Sequence, residues 1–153
     1  MGDLRALMRR FPAGVAVVTV DADGERLGLT VGTLVSLSLE PPLVGIAVAR
    51  EAAMHELLRE AGGFSVSLLA ADPEAVAQHF ARGVPPIAHW HGIEFREGKR
   101  APLLEGALGW LECGLWAEWP VGDHTFFAGE VEEDELGEAK PPLLYLDRRY
   151  TSL

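Results

Sequence analysis

The sequence predicts an α+β domain that is mostly β, with six or seven antiparallel strands closing into a barrel and two or three short helices. Three observations carry this expectation. Apolar stretches of strand length recur along the chain and are separated by Gly, Pro and Asp clusters. Helical spacing is confined to short stretches near residues 3–11, 54–58 and 72–83. The strands do not alternate with long helices, which argues against a parallel βαβ sheet. The 153 residues, about half of them hydrophobic, fit one domain over 1–153.

Leu4, Leu7, Met8 and Phe11 follow the stripe of an amphipathic helix, closed by Pro12 and Gly14 and expected to lid one end of the barrel. Residues 15–20 are β-branched and apolar, and the turn residues 21–24 lead into a second extended run, so these two strands read as a hairpin. In the run 27–39, Leu27, Leu29, Val31, Val35, Leu37 and Leu39 share odd positions while the even face is small and hydroxylic. Thirteen residues exceed an ordinary strand, so a bend is expected near Gly32. Glu40-Pro41-Pro42 ends it, and 43–49 is a buried strand. Met54, Leu57 and Leu58 share a helix face stopped by Gly62-Gly63, and 64–69 is a strand. Asp72-Pro73-Glu74 opens a helix through Val76 and Phe80 to a stop at Gly83. Residues 84–104, with three prolines, read as a long functional loop. Strands follow at about 108–118, 125–132 and 143–146, joined by Pro120-Val-Gly-Asp123 and by an acidic run, 132–138, expected as a solvated turn.

Composition narrows function. A formal charge of −10, with thirteen Lys and Arg among twenty-three acids, is the wrong balance for a nucleic acid or an acidic membrane surface. No apolar run reaches the length of a membrane span, and the N-terminal residues lack a secretory pattern. With Cys113 as the lone cysteine, the reading is a cytoplasmic protein.

No nucleophile elbow, Rossmann fingerprint or P-loop is present. His89-Trp90-His91 reads as a polar loop or as the seed of a metal site; no metal is assigned. Cys113 alternates with Leu111 and Leu115, as a buried structural thiol does. His55 reads as a helix-surface residue. His124, at the mouth of a strand after Gly122-Asp123, is either a ligand-facing imidazole or an ordinary strand start. The even face of 27–39 is either a solvent face or a cradle for a flat ligand.

Three segments, Phe11-Pro-Ala-Gly-Val-Ala-Val-Val-Thr19, Gly28-Leu-Thr-Val-Gly-Thr-Leu-Val-Ser-Leu-Ser-Leu-Glu-Pro-Pro42 and Gly122-Asp-His-Thr-Phe-Phe-Ala-Gly-Glu-Val131, resemble the flavin reductase-like family with the FMN-binding split barrel. Similarity continues through Phe64-Ser-Val-Ser-Leu-Leu-Ala70, Gln78-His-Phe-Ala81, the segment 101–113 and Pro142-Leu-Leu-Tyr145. The resemblance implies an antiparallel split β-barrel and a homodimer with flavin near the subunit interface. It also implies hydride transfer from nicotinamide C4 to flavin N5, with FMN or FAD as cofactor and NADH or NADPH as donor. The reduced flavin would pass to a partner monooxygenase. By resemblance the flavin ring lies against Thr30, Val31, Gly32 and Thr33, with Ser36, Leu37 and Ser38 completing its cradle. Arg50 and His55 match the phosphate-binding segment, and His124 matches a histidine near the flavin ring and nicotinamide. Phe80, Arg82, Arg149 and Tyr150 are further candidates, the last three for nucleotide phosphates or the far side of the ring.

Gly32 stands where that family commonly has Asn, and Ala52 and Met54 replace phosphate-binding hydroxyls. These departures favour a loosely held, exchanging flavin. The alternative reading is a non-catalytic flavin-binding or electron-carrier protein of the same fold.

Overall fold

The computed structural model describes residues 2–82 and 88–153; the expected stop at Gly83 and the first part of the 84–104 loop lie outside them. The strands are β1 (Ala13–Gly14), β2 (Ala16–Ala22), β3 (Glu25–Val31), β4 (Val35–Leu39), β5 (Pro42–Ala49), β6 (Gly63–Leu68), β7 (Phe95–Arg96), β8 (Leu103–Leu104), β9 (Gly109–Val121), β10 (His124–Leu136), β11 (Leu143–Leu146) and β12 (Arg149–Ser152). The helices are α1 (Leu4–Met8), α2 (Ala53–Ala61) and α3 (Ala75–Ala81).

Seven strands form one antiparallel sheet in the order β3-β2-β6-β9-β10-β5-β4. The run 27–39 is therefore not one bent strand. It supplies both edges of the sheet, and only Gly32-Thr33-Leu34 joins them. Seven strands laid flat would hold their edges about 29 Å apart. Four Cα steps span at most about 14 Å, so the sheet curls until its edges approach at residues 32–34, although no ladder joins β3 to β4 among the described residues.

The curl encloses the main core. Val18, Val20, Ile46, Val48, Phe64, Val66 and Phe127 point inward and meet Met54, Leu57 and Leu58 of α2. The apolar stripe of α2 is buried as its spacing predicts, and Gly62 ends it in the left-handed conformation, φ 71°. A second cluster lies on the opposite face of β2, where Val17 and the preceding Val15 pack with Ala77 and Phe80 of α3, Leu104 and Leu143. Strand β2 is thus covered on both faces.

Four expectations are corrected. First, the apolar stripe of α1 lids nothing: Leu4 is 70 % exposed and Phe11 70 %, so that face points away from the chain's own core. Second, α3 begins at Ala75 rather than at Pro73, because an Ala70–Pro142 bridge and the Ala71 N–H to Pro141 carbonyl bond keep the chain extended up to residue 71. Third, most of the acidic run is strand, paired along β9 through Leu136. Its carboxylates are spaced to meet cations of the preceding loop: Glu132 with Arg100, Glu133 with Lys99 and Glu135 with Arg96. Fourth, β12 was not expected at all.

The small even residues of β3 also find a use. Phe80 covers Gly28 so closely that a Cβ there would sit 2.6 Å from the ring, and the Thr30 hydroxyl donates to the Ala77 carbonyl at 2.6 Å. This half of the hydroxylic face is the seat of α3. The outward backbone groups of β3 are occupied as well: Trp90 Nε1–H donates to the Arg26 carbonyl at 3.1 Å, and the Gly28 N–H donates to His89 Nε2 at 2.8 Å.

His89 is buried, and burial, with His79 nearby, lowers its pKa below the ordinary 6.5. Because Nε2 accepts the Gly28 N–H, only the neutral ring fits. The stability this contributes is full above pH 6.5 and is lost as the pH falls toward the depressed folded value. Urea unfolding between pH 7.5 and 5 should show that loss, reduced in His89→Gln, whose amide oxygen can accept the same N–H.

Candidate functional site

Strand β4 is an edge. Among the described residues it pairs only with β5, so its other row of backbone N–H and C=O groups is unpaired in the sheet. The Thr33 hydroxyl donates to the Ala47 carbonyl at 3.2 Å and accepts the Ala47 N–H at 3.1 Å, which extends the ladder one rung beyond the strand. Ser36 pairs with Val44 and Ser38 with Leu43; the bulge between them turns out Leu37, 45 % exposed.

Next to β5 runs β10, with His124 opposite Ala49 and Phe126 opposite Ala47. Thr125 and Phe127 point into the core, so His124 and Phe126 share the outer face. Phe126 meets Trp119 of β9 with ring centroids 6.1 Å apart. Thr33, bonded to Ala47, lies two residues along β5 from the partner of His124, about 7 Å. The result is an exposed apolar sheet face with hydroxyls and open backbone groups at one rim and an imidazole at the other.

Gly122-Asp123 turns the β9–β10 hairpin and aims His124. The Arg50 N–H donates to the Asp123 carbonyl at 3.0 Å, and its guanidinium donates to the Gly122 carbonyl. Asp123 lies 2.7 Å from His124 Nδ1, and that hydrogen bond holds its carboxyl below the usual range. Since a carboxylate only accepts, Nδ1 carries the proton and Nε2 is left to meet a ligand. The imidazole is 41 % exposed.

His55 sits beneath this rim, buried, with Nε2 2.7 Å from the Thr125 hydroxyl and Nδ1 2.5 Å from Glu56. Its ring is engaged within the fold rather than at the surface. Phe80, 1 % exposed, Val31, 7 % exposed, and Thr30 are likewise held by core and helix contacts. The Cys113 thiol is fully buried, and burial pushes its pKa up to about 12, so it stays protonated.

Arg82, Arg149 and Tyr150 come together elsewhere, in an open groove of about 500 Å³ between the end of α3 and the β11–β12 hairpin. Gly32 lines a second groove, of about 660 Å³, between α1 and the same hairpin. The candidates thus fall on a β4–β5–β10 rim, on a groove beside it and in supporting positions beneath. Asp123, Trp119 and Phe126 escaped the sequence reading. Asp123, adjacent to His124, was the one legible signal; the aromatic pair depends on β9–β10 register. Among the described residues no cluster of metal-ligating side chains occurs, and no helix is long and apolar enough to cross a membrane.

A curled antiparallel sheet of this kind, with an aromatic face, a histidine at its rim and an open edge strand, defines a scaffold for a planar bound group rather than a hydrolytic centre. The chain belongs to the flavin reductase family, the Flavin reductase like domain matching residues 8–153. It is 46 % identical over 95 % of its length to the 4-hydroxyphenylacetate 3-monooxygenase reductase component of Thermus thermophilus, of which 92 % is covered. Its fold is similar to that of BorF, the flavin reductase component of a bacterial two-component tryptophan halogenase, with a TM-score of 0.92 and 37 % identity, covering 98 % of this chain and 96 % of that one. It is also similar to the Streptomyces globisporus NADH:FAD oxidoreductase SgcE6 in complex with NAD and FAD fragments, with a TM-score of 0.91 and 37 % identity, covering 97 % of this chain and 89 % of that one.

Proposed function

We propose that the protein is an NAD(P)H-dependent flavin reductase that hands reduced FMN or FAD to a partner monooxygenase. The observation that carries the reading is the β4 edge beside His124. The pyrimidine side of a flavin ring needs alternating donors and acceptors at strand spacing, and the open edge strand β4, with its free backbone groups and the hydroxyls of Ser36 and Ser38, has both. Bound there, the flavin supplies the two-electron acceptor, N5, for the hydride leaving nicotinamide C4.

The chain's own residues bind and orient. His124 Nε2, left as an acceptor by the tautomer that Asp123 fixes, is placed to take an N–H of the ring or of the nicotinamide carboxamide, with Arg50 bracing the turn. His55, Thr30 and Phe80 act from below by fixing β10 and β3. Arg50, already engaged by Gly122, and Ala52 and Met54, without hydroxyls, offer a flavin phosphate few groups, which suits a flavin that leaves after reduction.

A second copy of the chain is the occupant we assign to the exposed apolar surface. Trp116, Trp119 and Val121 of β9 and the stripe of α1 are each about half exposed or more, a poor surface for a lone subunit. This reading makes the protein a homodimer with flavin near the interface. The lone, buried Cys113 suits a cytoplasmic site of action.

Purified protein mixed with FMN or FAD and with NADH or NADPH tests the function. Loss of 340 nm absorbance that requires both flavin and protein is expected. A yellow protein inert to both nucleotides would instead identify a flavin carrier.

A further inference from the structure

The hairpin arm that carries His124 is only partly held by the sheet. Strand β9 pairs with β6 from Gly109 to Gly114, so residues 115–121 have β10 on one side and no strand on the other among the described residues. Arg50 grips the tip of the arm at Gly122 and Asp123. A second grip lies underneath it and comes from α2, a few residues further along the same segment.

Thr125 begins that grip. It is 5 % exposed, and its hydroxyl lies 2.7 Å from His55 Nε2. His55 Nδ1 lies 2.5 Å from Glu56, and that hydrogen bond holds the Glu56 carboxyl below its usual range. Because a carboxylate only accepts, Nδ1 carries the proton; in the neutral ring Nε2 then accepts and the Thr125 O–H donates. Phe127 fixes the imidazole from another side, with ring centroids 5.3 Å apart. Glu56 also accepts from Arg59 Nη1 at 3.1 Å, and Arg59 Nε reaches Glu118 of β9 at 2.9 Å. Glu118 stands opposite Phe127 in the β9–β10 ladder, two residues from Thr125, so the polar contacts close into a ring. The unsupported half of β9 is thereby tied to α2.

The outer part of this ring adds little stability. The side chains of Glu56, Arg59 and Glu118 are 66, 47 and 32 % exposed, and ion pairs in such a setting are weak. Their effect is directional. Successive side chains of a strand point to opposite faces, so Thr125 cannot roll inward or outward without swinging His124 the other way.

We propose that Thr125 is a positioning residue for His124, pinned by the ring that runs through His55, Glu56 and Arg59 to Glu118. The kinetic consequence rests on the proposed function; the coupling between the two neighbouring side chains does not.

The test compares three variants in the wild-type and His124→Ala backgrounds, with thermal transitions confirming that each is folded. Thr125→Val keeps the shape and removes the hydroxyl, Thr125→Ser keeps the hydroxyl, and Arg59→Met opens the ring at an exposed position. With His124 present, Thr125→Val should lower kcat/KM for NADH about tenfold and Arg59→Met about threefold, while Thr125→Ser stays close to wild type. With His124 absent, all three should be silent, since no imidazole remains to be aimed. Equal losses in both backgrounds would make the ring plain scaffolding and overturn the proposal, as would full activity of folded Thr125→Val and Arg59→Met. Should Thr125→Val fail to fold, Arg59→Met carries the comparison. Nitrogen NMR of the histidine rings reads the coupling without any flavin. The His124 signals, assigned by their loss in His124→Ala, should move in Thr125→Val and in Arg59→Met; unmoved signals overturn the coupling. Moved signals in a protein that reduces no flavin would leave the coupling standing and overturn the reductase.

Discussion

Replacing His124 with alanine should lower kcat/KM for the nicotinamide donor about 10- to 100-fold, the range expected when a group that orients a reactant is lost. Stability should change by no more than about 0.5 kcal/mol, because the side chain is 41 % exposed and bonds only its neighbour Asp123. His124→Gln, whose amide oxygen reaches close to the position of Nε2, should fall between the two. Steady-state kinetics at saturating flavin check this. Unchanged turnover and unchanged KM for NADH in His124→Ala would remove His124 from the site.

The largest effect on stability is expected from Phe64→Ala. Phe64 is fully buried at the centre of the main core, on β6, and its ring lies against the backbone of β10. A Cβ at Gly129 would approach Phe64 Cζ to 2.7 Å, so the glycine is what admits the ring. Truncation leaves a cavity that sheet strands on both sides cannot collapse to fill, at a cost of about 3–5 kcal/mol. That is a large part of the stability of a domain this size, and the thermal transition should fall by about 10 °C or more. Calorimetry or urea titration reads it directly. A loss below about 1 kcal/mol would mean that the core relaxes around the missing ring.

Much of the fold is legible where turn chemistry is local. Asp21-Ala-Asp-Gly24 and Gly122-Asp123 mark their hairpins, and Met54, Leu57 and Leu58 mark the buried face of α2. The break in 27–39 is hidden by parity. Three linking residues return Val35 to the same odd phase as Val31, so one pattern runs through two strands at opposite edges. Strand β12 is hidden because its turn, Asp147-Arg148, uses two residues other than glycine in the left-handed region. The acidic segment reads as a solvated turn because the cations that pair with it stand more than thirty residues upstream. At the site, residue types on the β4 edge are readable from sequence. That Thr30 and Phe80 serve a helix, while Thr33 serves the rim, depends on which half of the run lies under α3.

The two edges of the sheet are unequal. On β3, Trp90 and His89 occupy the outward carbonyl and amide of Arg26 and Gly28, so that edge offers little to a foreign chain. Edge β4 has no such cover among the described residues, and Leu39 at its end is 85 % exposed. An edge of that kind is a template for self-assembly unless something sits on it. On the proposed reading, a bound flavin and a second subunit would act as stoppers against misassembly as well as parts of the reaction. On that account, protein held without flavin at low concentration is the form most prone to recruit stray strands and precipitate. Adding flavin during purification should raise soluble yield before it raises activity.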